Sequence, residues 1–326
     1  MANLTVAAVK YLHTGDIDPD ATKAGGDLWE GLVGACVTAA QTALQPPPKG
    51  YSPTQRNSLD DLFASMRATH RGIRSLIKLG DEKPESVDAL VLARLQLEGL
   101  YTLCLLVEGP QEVDRFVREA WKHQYIQWML VREETKELGR FPKSLDNELQ
   151  RLRTLAKIWG ITNEERLTIE FDQLNVQPPP GFVRQPIKRF PTPGQLIDEL
   201  PQGPKRKMLE RLYLEYQELC IYAHGRPIAG FGKAIFDGHS VARKEFGAFH
   251  GESYVHEQFQ KTIVGQAQIY SLISVAQATA ELTTLYPDNV QLRAAATKAW
   301  NELHGAHLLV NAVWNIRTKA LLGVIG

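Results

Sequence analysis

One helix constrains this chain more than any other stretch. Pro84 to Val107 reads Pro-Glu-Ser-Val-Asp-Ala-Leu-Val-Leu-Ala-Arg94-Leu-Gln-Leu-Glu98-Gly-Leu-Tyr101-Thr-Leu-Cys-Leu-Leu-Val107. It is apolar almost all the way round, the mark of a helix covered by neighbours on several sides. Arg94 and Glu98 interrupt it, four residues apart and so on one face. A charge buried in such a helix requires a partner. Arg before Glu is the weaker order for a pair within one helix. The expectation is therefore that both are buried and reach across to another helix, with His224 or a nearby Tyr as neighbour.

The segments around it read as further helices. One is expected from about Leu4 to Leu12, before the acidic turn Asp16-Ile-Asp18-Pro-Asp20. Those alternating Asp residues approach a calcium loop, but Ala21 stands where it needs Gly and Asp27 where it needs the closing Glu; a solvated loop is expected. A helix from Asp27 to Leu44 stops at Pro46-Pro47-Pro48. Ser52-Pro53 starts the next, with Ser as N-cap and Pro in the first turn, and Gly80 ends it after Leu79. Glu108-Gly109-Pro110 restarts a helix that runs to about Leu138 and carries Trp121 and Trp128. Leu145 to Trp159 follows, and Thr162-Asn-Glu-Glu165 is a capping box for Asn163 to Leu174. Seven prolines between Gln177 and Gly203 forbid a long helix. That length is expected to form an ordered loop across the helices, with a brief helix from Gln195 to Leu200. Lys205 to Tyr222 is helical, and Gly230 to Gly251 is rich in glycine and Phe and reads as loop. Two long helices, Glu252 to Tyr286 and Asp288 to Leu322, close the chain. No alternating strand pattern and no repeat emerges. The expected fold is all-α, an irregular multi-helix bundle with a Pro-rich ordered loop. Its organisation is read as an N-terminal helical arm, 1–50, and a main helical domain, 51–326, that includes the loop 177–203.

Charge narrows the function classes. Among 326 residues, Lys plus Arg and Asp plus Glu number 37 each, so no whole-molecule field draws the chain to nucleic acid or anionic membrane. A local basic patch stays open, and Arg67, Arg71 and Arg74 form one stripe. Cys36, Cys104 and Cys220 are odd in number and far apart, which fits a reducing compartment. The first ten residues lack the basic start and apolar core of a signal peptide, and no apolar run reaches membrane-spanning length. The expectation is a soluble cytoplasmic protein without a membrane partner.

Metal and cofactor signals are weak. His304 and His307 share a helix face, and Glu252, His256 and Glu257 lie together, but neither Glu-x-x-His pairs nor His-Glu-x-x-His occur. No metal site and no cofactor is expected. No nucleophile elbow and no phosphate loop is present; Cys220 near His224 is a pair by proximity, and an inert buried thiol is the plainer reading. A polar cluster is the better candidate. Arg94 and Glu98, with Tyr216, Tyr222 and His224 from a later helix and its end, would bind a small polar ligand, do acid–base work, or lock helix packing.

Two resemblances follow from these residues. The Arg94-x-x-x-Glu98 helix, Glu108-Gly-Pro and a second helix, then Tyr216 and Tyr222-Ala-His224-Gly225, resemble a bacterial all-helical family that forms a domain of unknown function. That likeness spans about Ser52 onward; it implies a fold and a cellular setting, not a reaction. Separately, Arg118 with His123, or Arg243 with His250, is similar to the spacing of Arg and His in helical ribonucleases of the HEPN type, found among toxins and abortive-infection proteins. Three functions stay open: a helical binding or interaction protein in bacterial defence or stress, a HEPN-like ribonuclease, and a small-molecule enzyme using the Arg-Glu-His cluster. A protein partner or a second copy of the chain is the partner class left open, and nucleic acid is not indicated by net charge.

Overall fold

Prolines open many of the helices. A helix start leaves its first N–H groups without partners, so a residue lacking that N–H, with φ already near the helical value, fits there. The structure, a computed structural model, describes residues 19–79, 86–137, 143–223, 252–303 and 308–323. Side chains at 19–27, 78–79, 86–87, 218, 221–223, 252–266 and 308–309 lie outside that description. The helices are α1 (Pro19–Ala43), α2 (Pro53–Leu79), α3 (Ser86–Leu106), α4 (Pro110–Glu137), α5 (Lys143–Ile158) and α6 (Asn163–Leu174). They continue as α7 (Pro193–Glu199), α8 (Pro204–Ala223), α9 (Glu252–Leu282), α10 (Val290–Leu303), α11 (Leu308–Val313) and α12 (Lys319–Leu322). The described residues are 80% helical and include no strand, so the all-α class holds. The segments 4–12 and 230–250 and the Asp16 and Asp18 turn lie outside the described residues.

Contacts divide the chain into two units. The first is drawn from Met1–Lys49, Leu59–Val107 and Pro193–Gly326, the second from Gly50–Ser58 and Glu108–Thr192.

In the first unit α3 packs chiefly against α9 and α8, and α1 against α9 and α10. Leu90, Ala93, Leu97, Leu100, Leu103 and Leu106 are all buried. By length and composition Asp88–Leu106 is apolar enough to cross a membrane, which corrects the sequence expectation that no run reaches that length; 67% of the stretch is buried inside the protein. Arg94 and Glu98 fall inside the stretch, and two charges do not remove that capacity.

Every position from Ala267 in α9 to Thr283, one residue past its end, is buried, although Gln268, Ser271, Ser274, Gln277, Thr279, Glu281 and Thr283 fall there. Such groups are tolerated inside when bonded. Ser274 and Thr279 donate to carbonyls one turn back, Tyr270 and Val275 (2.6 and 2.8 Å). Glu281 accepts from Arg317 through two bonds of 2.8 and 2.9 Å, and from Gln277 at 3.0 Å. Lys205 stands 3.5 Å away.

Asp288 to Leu322 is not the single helix expected. Its last part passes through a π-turn, Trp314–Thr318, between α11 and α12. An extra residue per turn rotates the chain beyond it. That turn carries Arg317 to Glu281 and Thr318 to Gln277, at 2.6 Å.

The second unit is built on α4, with α5 and α6 packed against it. Trp121, Tyr125, Trp128, Leu145, Leu152 and Ile169 form its buried centre, joined by Ile187 from the Pro-rich segment. Both sequence-read caps are present. Ser52 and Gln55 bond reciprocally at the start of α2 (2.8 and 3.2 Å), and Thr162 and Glu165 do so at α6. Asn175 ends α6 in the left-handed region, φ 52. The Pro-rich segment lies across the helices as expected. The Gln185 N–H donates to Thr168 at 2.9 Å, the Phe190 N–H donates to Glu119, and Phe182 and Phe190 meet Phe171 and Phe116 edge to face.

Candidate functional site

The polar cluster on α3 forms in part. Arg94 donates to Glu98 at 2.7 Å, Tyr216 of α8 donates to the same carboxylate oxygen at 2.7 Å, and Arg94 also donates to the Tyr216 hydroxyl at 3.2 Å. Two expectations need correction. The pair does bond within its own helix; the unfavourable Arg-before-Glu order costs only a few tenths of a kcal/mol, and Tyr216 bridges both partners from across. Nor is the pair fully buried: the Arg94 and Glu98 side chains keep 18% and 30% of their exposure. Burial pushes the Tyr216 hydroxyl well above its ordinary value, and the bond to Glu98 adds to this, so the phenol stays protonated. For Arg94, burial works against the charge, but Tyr216 and Glu98 outweigh it. Tyr101 and Tyr213 pack on the Tyr216 ring. The Tyr222 side chain and His224 lie outside the described residues.

Arg118 and His123 share α4 but do not converge. They are about 140° apart around it. Arg118 is engaged by Glu165 and the Gly160 carbonyl, whereas His123 is 70% exposed and pairs with Glu119 at 3.4 Å. Arg243 and His250 lie outside the described residues. So do His304 and His307, His256 and the Glu252 and Glu257 side chains. Among the described residues no group of three or more His, Cys, Asp or Glu comes together.

The arginine stripe of α2 turns out to face α1. Arg71 and Arg74 each reach Glu30 at 3.4 Å, and His70 stands 3.5 Å from it. His70 is wholly buried and its Nδ1 lies 2.8 Å from the Ser271 hydroxyl. A Ser–His–Glu chain invites comparison with a hydrolase. Ser271 is itself 0% exposed, however, and its hydroxyl accepts from the buried Gln96 at 3.0 Å, so this is a packing network. Cys36 is a buried thiol pushed up to about 12 by its burial and is inert.

The second unit holds what sequence reasoning missed. Trp121, Tyr125 and Trp128 recur at i, i+4 and i+7 on α4, so they line one face. Their rings stack, centroids 5.0 and 5.7 Å apart. Their indole N–H groups are taken by the carbonyls of Leu152 and Leu145 on α5, at 2.8 and 3.0 Å. Beside them opens a cavity of about 410 Å³ between α4, α5 and α6, completed by Leu149, Ala156 and Leu174. The Tyr125 hydroxyl donates to Glu170 at 2.5 Å, and Arg166 bonds the same carboxylate oxygen at 2.5 Å. Burial and that carboxylate push the phenol up to about 12. A second lobe of about 430 Å³ shares Arg153, Ala156 and Arg166 with the first and adds Lys157, Thr154 and Asn163. A groove of about 510 Å³ in the first unit is lined by α10 residues alone and is a one-sided surface. Only the i, i+4, i+7 aromatic spacing was visible in the sequence; the basic residues come from three helices, Arg132 from α4, Arg153 and Lys157 from α5 and Arg166 from α6.

No family model matches the chain, and no curated protein and no solved structure is similar to it.

Proposed function

We propose that this protein is a helical binding protein and that the two-lobed cleft of its second unit is the ligand site. One observation supports the reading above the rest. A volume of about 410 Å³, walled by stacked aromatic rings and aliphatic side chains, adjoins a polar lobe. Ligand sites are typically concave, mostly apolar and about 300–1,000 Å³, with few polar groups that orient the ligand. The polar edges of the indoles are already satisfied by backbone, so the walls gain nothing more from water.

The Arg94–Glu98–Tyr216 cluster is read as a lock between α3 and α8, because its members bond one another. The family likeness that starts from Arg94, Glu98 and Tyr216 remains a proposal about ancestry. The ribonuclease reading has no geometry in its favour at Arg118 and His123, each held by a different carboxylate.

A thermal-shift screen tests the proposal. A ligand that binds only the folded state raises the melting temperature by mass action. Stabilising compounds are expected, and their effect should vanish in Ala156→Phe, which fills the wall shared by both lobes. Hits that act equally on that variant would contradict the assignment.

A further inference from the structure

We infer that the ligand of this cleft is a small organic anion with an apolar body, its acidic group seated at Arg153 and Lys157. This rests on the reading of the cleft as a ligand site. The argument begins with the charges of the lining. Arg166 and Glu170 neutralise each other within the first lobe. Arg132 and Asp146 both line that lobe. α4 and α5 run antiparallel there, since Trp128 bonds Leu145 while Trp121 bonds Leu152. Arg132, beyond Trp128, therefore stands at the Asp146 end, and its guanidinium lies 5.5 Å over the Trp128 ring.

Arg153 stands at the other end, seven residues or about 10 Å further along α5. It lines both lobes, and Lys157 lines the second. The two are four apart, so two like charges share one helix face, an arrangement that destabilises the helix by a few tenths of a kcal/mol. Both side chains are exposed, and neither has a hydrogen bond or ion pair among the described residues. Of the two acidic groups of the lining, Asp146 stands at the Arg132 end and Glu170 is already occupied by Arg166 and Tyr125. Two uncompensated positive charges, Arg153 at the join and Lys157 in the second lobe, thus stand next to an apolar chamber. The side-chain amides of Gln150 and Asn163 around the second lobe offer further donors. An acid with an apolar body satisfies both halves at once: the chamber buries the body, and the guanidinium and ammonium hold the acidic group.

Two dyes that share one ring system test this. 1-Anilinonaphthalene-8-sulfonate carries the anion; N-phenyl-1-naphthylamine lacks it. Their dissociation constants are read by dye fluorescence with wild type, Arg153→Ala, Lys157→Ala, Arg132→Ala and Ala156→Phe. Arg153→Ala and Lys157→Ala should each weaken the sulfonate dye about tenfold, the worth of one charge-assisted contact, and leave the neutral dye unchanged. Arg132→Ala should change either dye less than about threefold, because Arg132 stands over the Trp128 ring at the far end of the lobe, about a Debye length from Arg153. Ala156→Phe should abolish both, and Leu149→Trp, from the same wall, repeats the block should Ala156→Phe fold poorly. Sulfonate binding indifferent to Arg153 and Lys157 but lost on filling the wall would overturn the anion and leave the cleft. Binding indifferent to both fillings, or no binding of either dye, would overturn the cleft itself.

Discussion

Replacing Arg317 by Met should be among the most damaging single changes in the first unit. Glu281 is 0% exposed and takes two bonds from Arg317, at 2.8 and 2.9 Å, while Lys205 approaches only to 3.5 Å. Without Arg317 the carboxylate keeps one cation and the Gln277 amide. Removing one member of a buried pair costs about 3–5 kcal/mol because the other charge is left uncompensated. Lys205 places the expectation near the lower end. For a unit of this size each kcal/mol moves the melting temperature by about 2–4 °C, so a fall of about 6–12 °C is expected. The companion Glu281→Leu should cost a similar amount, since it removes the carboxylate that Arg317 and Lys205 face. The double variant should cost clearly less than the two singles together, because each change removes the other's stranded charge. Urea unfolding followed by circular dichroism gives all three values. A loss below about 1 kcal/mol for Arg317→Met, or strict additivity in the double variant, would refute the reasoning.

Acid should weaken the protein through His70. Its burial foremost, with Arg74, lowers its pKa from 6.5 to about 4, while Glu30 opposes. The unfolded chain takes up a proton between those values and the folded chain does not, so stability falls as pH drops from about 6.5 to about 4, by roughly 3 kcal/mol. His70→Asn should flatten urea midpoints across that window; a variant profile parallel to wild type would contradict this. Glu98→Gln should cost about 1–2 kcal/mol, less than for a fully buried pair, because both side chains keep some water; no change in the unfolding midpoint would show that the Tyr216 bridge does not lock α3 to α8. Purified protein should leave a structured RNA intact on a denaturing gel, and cleavage that disappears in His123→Ala would reinstate the ribonuclease.

Local signals carried most of the fold. Ser52-Pro53 and Thr162 with Glu165 marked helix starts because a cap depends only on residues within one turn. The Pro-rich segment was legible for the same reason: proline excludes helix wherever it stands in number. What failed depended on partners distant in sequence. Nothing in Trp314–Thr318 announces a π-turn; it places Arg317 on a carboxylate 36 residues earlier. The stretch Ala267–Leu282 of α9 reads as partly polar, yet it is buried at every position, because Ser274 and Thr279 satisfy themselves on their own backbone and Gln277 and Glu281 on Thr318 and Arg317. Tyr216 meets Arg94 and Glu98 as the sequence reading expected of a nearby Tyr, but the weaker helical order was given more weight than its few tenths of a kcal/mol warrants. The cleft escaped because its aromatic wall on α4 and its cations on α5 are separate patterns, each ordinary alone.

Amide hydrogen exchange on the protein saturated with 1-anilinonaphthalene-8-sulfonate tests the central claim most directly. A ligand in the cleft should slow exchange in peptides covering Trp121–Arg132, Asp146–Lys157 and Arg166–Leu174, the three helices that wall it. Peptides from α3, α9 and α10 should exchange as in the free protein. Slowing confined to those three helices is the predicted result; slowing centred on the first unit, or none anywhere at saturation, would contradict it.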